Sequence, residues 1–314
     1  MRDRPRASRR PSGGVRMSVT LFLGLGRMGA PMARLHAAAF ETRVYDVFAE
    51  AAKAVADASD AVAVSDLASQ GADADVVILM LPTSRHVEEA LQGDGLFARL
   101  PKGALVIDMG SSEPASTRAL AAFAAGLGLE YVDAPVSGGI AKAETGELTI
   151  MVGGEDDAVA RAMPHLETVG TSIVHVGPAG AGHAAKALNN LVSATNIAAA
   201  TEAVTVAKHF GIEPATMVEV LNASTGMSQA TQVKFPQHIL PGTYASRFAY
   251  DLMLKDMGIA VQMAGEVGFA PVTGAAFTTL AEGRAGLGEH PDHTEIARVY
   301  ARATGISIDE GQPL

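Results

Sequence analysis

The densest chemical pattern in the chain is Gly24-Leu25-Gly26-Arg27-Met28-Gly29, which follows an apolar run at 19–23 and precedes a helix-compatible stretch at 30–40. Three glycines at this spacing permit a tight turn, close approach of backbone to a pyrophosphate, and tight packing of helix on strand. The free N–H groups at the start of the following helix face the phosphates. A glycine turn that binds nothing is the plain alternative. The surrounding strand–turn–helix pattern argues against it, as does Asp46, 22 residues beyond Gly24 at the end of a second strand. A carboxylate there accepts hydrogen bonds from an adenosine ribose and repels a 2′-phosphate, so NAD is favoured over NADP. Val47 and Phe48, which follow Asp46, bring no positive charge to reverse that preference.

Further candidates stand where strands are expected to end. Leu81 and Pro82 follow one apolar run, and Ser111 follows another; loops at such ends edge the ligand crevice of a parallel sheet. Pro82 also reads as a strand stop, and Ser111 as a helix-capping serine. Ser137-Gly138-Gly139, in the run Asp133-Ala-Pro-Val-Ser-Gly-Gly139, offers a hydroxyl and backbone N–H groups to a carboxylate, or simply a turn. Lys186 and Asn190 are four residues apart and share a helix face, with His183 one turn before. Their neighbours are small or apolar, unlike an ordinary charged surface. A partly buried Lys186 would have its proton affinity shifted toward acid/base use; a plain surface lysine is the other reading. His183 is the rival acid/base, but a helix N-terminus disfavours its protonated form and no carboxylate lies near it in sequence. Lys255, followed by Asp256, reads as an exposed ion-pairing lysine unless its helix reaches back to the crevice. His290, Asp292 and His293 sit in a Gly/Pro-flanked turn without the ligand set of a metal site, so no metal is expected.

Composition narrows the classes. The chain has 314 residues, 48% of them hydrophobic, and no cysteine, which removes disulfides, thiol nucleophiles and cysteine-held clusters and suits a cytoplasmic protein. Residues 1–16 carry six arginines and one aspartate; the remainder carries eighteen basic against thirty-three acidic residues, a net of -15. An acidic body argues against a nucleic-acid partner. No stretch approaches the ~18 apolar residues of a membrane span. The arginine-rich arm at 1–16 is expected to be disordered or a misassigned start, with Met17 the working beginning.

Positioning these groups requires two kinds of architecture. Runs at 19–23, 43–45, 76–81, 105–107, 131–132, 148–152 and 173–176 alternate with alanine-rich helical stretches, the pattern of a doubly wound α/β domain with a parallel sheet covered on both faces. After Gly177-Pro178 no strand is expected. A long helix over 182–210, ended by Gly211, is followed by helices at 214–222, 248–267, 273–283 and 292–304. The expected domains are a cofactor-binding Rossmann domain at 17–178 and an all-helical substrate and oligomerisation domain at 179–314.

From Val19 to about Gly305 the chain resembles the β-hydroxyacid dehydrogenase family, and within it the 3-hydroxyisobutyrate dehydrogenases. The resemblance rests on the glycine loop with Met28 and Gly29, on Tyr45-Asp-Val-Phe48, Met80-Leu-Pro-Thr-Ser84, Asp133 to Gly139, Leu148 to Gly154, Lys186 with Asn189-Asn190, and Leu252 to Asp256. It implies that Lys186 is the catalytic acid/base, that Ser137, Gly138, Gly139 and Asn190 bind substrate, that Ser111 and Lys255 contact the cofactor, and that subunits form homodimers or homotetramers. Ser111 stands where a threonine is common. Ser224-Thr-Gly-Met-Ser-Gln229 lacks the arginine and aromatic that hydroxyisobutyrate dehydrogenases tend to carry, which opens the question of substrate side chain. The expected reaction is hydride exchange between NAD and a small carboxylate-bearing β-hydroxy acid. The alternatives are an NADP-dependent reductase of tartronate semialdehyde, succinic semialdehyde or glyoxylate, and a non-catalytic NAD-binding module.

Overall fold

The computed structural model describes residues 18–67, 73–93, 95–268 and 270–309, so the arm at 1–16 lies outside the described residues. The first half builds a nine-stranded sheet from β1 (Thr20–Leu23), β2 (Thr42–Tyr45), β3 (Val62–Ala63), β4 (Val76–Leu79), β5 (Leu105–Asp108), β6 (Glu130–Asp133), β7 (Val136–Ser137), β8 (Leu148–Gly153) and β9 (Gly170–Gly177). The order is β3-β2-β1-β4-β5-β6-β8-β7, with β9 also pairing β8. β1 and β4 are neighbours and the chain winds outward from them in both directions, so their carboxyl ends form the topological switch point where such sheets bind ligands.

β1, β4 and β5 bury every residue, as expected of strands covered by helices on both faces. Phe22, Ile78 and Ile107 enter one apolar cluster, and Leu21, Val77 and Val106 the other, the alternation that a two-sided core demands. The sheet is not parallel throughout. β8 runs antiparallel to β6 and β7, and β9 follows β8 in parallel. Only residues 138–147, which include the short helix Gly139–Thr145, separate β7 from β8, too little chain for the dozen or more residues of a parallel crossover.

Beyond β9, helices Ala181–His209, Pro214–Asn222, Tyr250–Val267, Pro271–Gly283 and Ile296–Thr304 form the second unit. The long helix is its axis: Ala187, Leu191, Ala194, Ala198, Thr201 and Val204 are buried along one side, against Met253, Met257 and Ala260 among others. Its end is set by Gly211, at φ 82. A ten-residue π-helix, Ala230–Ile239, was not expected; Pro236 inside it hid the segment from any α-helical reading. Residues 292–295 form a capped 3-10 turn ahead of the last helix: Asp292 accepts from the Thr294 N–H at 3.0 Å, and Glu295 returns a bond to the Asp292 N–H at 3.0 Å.

Candidate active site

The glycine loop leaves β1 and turns under β4. Gly24 holds φ 90, and a Cβ there would lie 2.5 Å from the Met80 carbonyl oxygen. A Cβ on Gly29 would lie 1.9 Å from the Gly24 oxygen, so helix Gly29–Ala37 can begin only on glycine. Gly26 is different: it is exposed, and a Cβ would meet nothing within 4 Å. Its missing side chain serves no contact within the protein and leaves a cradle open in front of the helix. Asp46 accepts from the Leu25 N–H at 2.7 Å and from the Phe48 N–H at 2.9 Å, which ties the tip of β2 to the loop. Each carboxylate oxygen retains acceptor capacity for a ribose hydroxyl. These residues fit a dinucleotide: the loop at Gly26 would take its pyrophosphate and Asp46 would take a ribose hydroxyl. Of the other loop residues, Arg27 is exposed, Leu25 is buried, and Met28 packs partly against the core below. Arg43 faces away into an ion pair with Asp73 at 2.6 Å.

The second unit reaches back over this crevice. Lys255, on helix Tyr250–Val267, donates to the Ser111 carbonyl at 2.8 Å and the Pro82 carbonyl at 3.2 Å, joining the loops after β4 and β5. The exposed ion-pair reading of Lys255 therefore gives way to the crevice reading, because helix packing spans 144 residues of sequence to bring it there. Ser111 does not cap a helix. Helix Pro114–Gly126 starts after Glu113 with no side-chain cap, and the Glu113 N–H is met by Ser84 Oγ at 2.8 Å. Leu81 closes against the glycine loop, its Cδ2 2.9 Å from where a Gly24 Cβ would lie.

One residue after Lys255, Asp256 is buried at 3% exposure and accepts from Asn190 Nδ2 at 2.6 Å. Lys186 lies one turn before Asn190, partly buried. Burial pushes its proton affinity below the ordinary lysine range; the charge of Lys255 adds to that depression, and Asp256 opposes it. Asn190, Asp256, Lys255, Pro82 and Ser111 thus form one connected group between the two units, and Lys186 lies within reach of the charges of Asp256 and Lys255. Ser137 ends β7, and Gly138 and Gly139 hold φ 137 and 72 at the start of the short helix. Among the described residues Ser137 to Gly139 have no direct bond to Lys186; Ser137 pairs with Thr149 of β8.

Asp133 and His183 carry a function that local sequence could not reveal. The buried Asp133 carboxylate accepts from the Gly180 N–H at 2.7 Å and the His183 N–H at 2.8 Å, capping the long helix against the end of β6. Its proton affinity is raised chiefly by burial, against which His183 and the two N–H donors act. His183 does have carboxylate neighbours, contrary to the sequence expectation: Asp133 at 3.7 Å and Asp108 at 3.8 Å, from strands far away in the chain. Its ring is buried and shares a 2.8 Å hydrogen bond with Thr117, which fits packing rather than proton transfer to substrate. His293 is buried against Ser246 and Phe248, and no metal-holding group of His, Asp and Glu occurs among the described residues.

Comparison with known proteins agrees with this geometry. Residues 20–177 match the model described as the NAD binding domain of 6-phosphogluconate dehydrogenase. Residues 180–300 match that described as NAD-binding of NADP-dependent 3-hydroxyisobutyrate dehydrogenase. The chain is 38% identical over 296 residues to 2-(hydroxymethyl)glutarate dehydrogenase of Eubacterium barkeri, covering 93% of this chain and 97% of that one. It is 41% identical over 258 residues to an NAD-dependent L-serine dehydrogenase of Pseudomonas aeruginosa, covering 79% and 86%. Among solved structures, Mycobacterium tuberculosis 3-hydroxyisobutyrate dehydrogenase with L-serine superposes with a TM-score of 0.82 at 32% identity, covering 91% of this chain and 99% of that one. The fold and site define a nucleotide-dependent dehydrogenase built from a Rossmann domain and a helical domain. The chain belongs to the 3-hydroxyisobutyrate dehydrogenase family of β-hydroxyacid dehydrogenases, and is an NAD-dependent oxidoreductase of hydroxy acids.

Proposed function

We propose that the protein oxidises a small β-hydroxy acid of the 3-hydroxyisobutyrate type, reversibly, to its semialdehyde or keto acid, with Lys186 as the general acid/base. The observation that carries this reading is a partly buried lysine one helical turn before Asn190, whose amide is bonded to Asp256, next to the Lys255 that reaches across the crevice to the Ser111 and Pro82 carbonyls; burial lowers the proton affinity of Lys186. Bound NAD supplies the acceptor for the hydride leaving the carbinol carbon. In its neutral form Lys186 takes the hydroxyl proton as the C–O bond becomes a carbonyl; in reverse, its ammonium polarises and protonates the carbonyl. Ser137 Oγ, which has no hydrogen-bond partner among the described residues, and the backbone of Gly138 and Gly139 hold the substrate carboxylate. The Asn190 amide orients the carbinol. Holding the reacting carbon in this way supplies several kcal/mol of barrier reduction.

Cofactor contacts in this reading are the loop Gly24 to Gly29, Asp46, Leu81, Pro82, Ser111 and Lys255. The domains divide at 17–178 and 179–314. Relatives named for 2-(hydroxymethyl)glutarate and L-serine support a substrate bearing a hydroxymethyl group beside a carboxylate. For assembly we favour a homodimer or homotetramer, with subunits covering the exposed Leu188, Val192, Val206 and Phe210, which fall on one side of the long helix. No helix among the described residues is long and apolar enough to cross a membrane; a cytoplasmic location fits this reading.

The test is NADH formation, followed by absorbance, with 3-hydroxyisobutyrate, 3-hydroxypropionate, glycerate, serine, threonate and 4-hydroxybutyrate, repeated with NADP. Turnover of at least one β-hydroxy acid, faster with NAD, is the expected result. Reduction of semialdehydes or glyoxylate with NADPH only would favour the reductase alternative, and cofactor binding without turnover would leave the non-catalytic module.

A further inference from the structure

Asp256 closes the 252–256 stretch that carries the family resemblance, which gives a role to Lys255 and none to the Asp256 carboxylate. It is buried, yet only Oδ2 has a hydrogen bond, the 2.6 Å contact from Asn190. Oδ1 is buried without a hydrogen-bond partner and faces Lys255 Nζ at 3.4 Å. Burying a charged oxygen with one ionic neighbour is costly, and fold stability alone favours a neutral or apolar side chain there. Residues adjacent in a helix point about 100° apart, so Lys255 and Asp256 do not meet by default. Here their charged ends converge because Lys255 is stretched toward the Ser111 and Pro82 carbonyls and Asp256 toward Asn190.

We infer that Asp256 is a positioning residue: one carboxylate oxygen orients the substrate-binding amide of Asn190, and the other supplies the negative charge against which Lys255 and Lys186 are balanced. The inference rests on the reading of Lys186 as the acid/base. The charged groups acting on Lys186 are Asp256 and Lys255, both from helix Tyr250–Val267; the strand-end loops contribute backbone carbonyls to Lys255. Burial lowers the proton affinity of Lys186 most; on top of it Asp256 holds the amine more basic and Lys255 holds it less basic, so the pair adjusts the pH at which Lys186 can accept the substrate proton. An aspartate that served only to fill its site would leave that pH alone.

The test is an NMR titration of 13Cε-lysine in the full-length protein without cofactor, with the Lys186 signal assigned by its loss in Lys186→Met. Asp256→Asn keeps an acceptor for Asn190 and removes only the charge. It is expected to lower the Lys186 midpoint by about one pH unit, the low end of what an adjacent opposite charge produces. Lys255→Met is expected to raise it, and stands as an independent arm if Asp256→Asn does not fold. In folded variants the acid limb of kcat/KM for oxidation, at saturating NAD, should move in the same two senses. Shifts in opposite directions support the inference; a Lys186 midpoint equal to wild type in every folded variant overturns it. Failure of the functional reading is separable, because it appears as absence of NADH formation by the wild type whatever the titration gives.

Discussion

Replacing Gly26 by alanine should separate cofactor binding from folding. Gly26 is exposed, its φ is not in the left-handed region, and an added Cβ meets nothing within 4 Å, so the protein accommodates the methyl without strain. Folding stability should stay within about 0.5 kcal/mol of wild type, or rise by about 0.4–1 kcal/mol through loss of unfolded-state freedom. The methyl does, however, project into the space through which a pyrophosphate approaches the loop. Displacing that group breaks one or two hydrogen bonds to a charged acceptor, each worth about 1.5–3 kcal/mol. A loss of about 2–4 kcal/mol corresponds to roughly a 30- to 1000-fold weaker Kd. Calorimetric titration with NAD, beside a thermal melt, reads both quantities. Gly29→Ala is the contrast: its Cβ would collide with the Gly24 carbonyl, so its melting temperature should fall by several degrees. An NAD Kd for Gly26→Ala within threefold of wild type, or a melting temperature as low as that of Gly29→Ala, would refute the cradle.

Asp46→Ala should relax the preference for NAD over NADP, mainly by weakening NAD, because the variant also loses the bond that ties Leu25 to β2; the ratio of kcat/KM for the two cofactors measures this. Asp133→Ala removes the cap from two buried N–H groups and should destabilise the fold by about 2–4 kcal/mol in urea unfolding, each uncapped donor costing about 1–3 kcal/mol. His36 and His165 share a 2.9 Å hydrogen bond, and burial lowers their pKa values to about 3 and about 4. Between those values and the ordinary 6.5 the unfolded chain binds more protons, so stability is full above pH 6.5. It should fall by up to about 1.4 kcal/mol per pH unit for each histidine as the pH drops. Urea midpoints at pH 7 and pH 5 check this, and His36→Phe should flatten the dependence.

The cofactor half was readable because its signals are local. The glycine spacing and Asp46 belong to one strand–helix–strand unit, where twenty-odd residues fix both the turn and its partner. β1, β4 and β5 were apolar runs flanked by helices, and needed no knowledge of the rest. Lys255 was ambiguous because its meaning depends on where an entire helix packs. Its two acceptors are carbonyls 144 and 173 residues away, and carbonyls leave no trace in residue type. His183 was denied a carboxylate for the same reason: Asp108 and Asp133 lie on strands the sequence could predict but not place. β7, two residues long, and the π-helix across Pro236 are decided by neighbouring packing rather than by propensity. Asp256 was visible beside Lys255, yet its burial and its bond to Asn190 exist only in the folded chain.

Lys186→Ala, assayed for both NAD affinity and turnover of the best β-hydroxy acid from the screen, bears most directly on the proposed chemistry. NAD affinity should remain near that of wild type while kcat falls by roughly two to four orders of magnitude, the usual scale for loss of a general acid/base. Turnover equal to wild type, with NAD still bound, would remove Lys186 from the reaction.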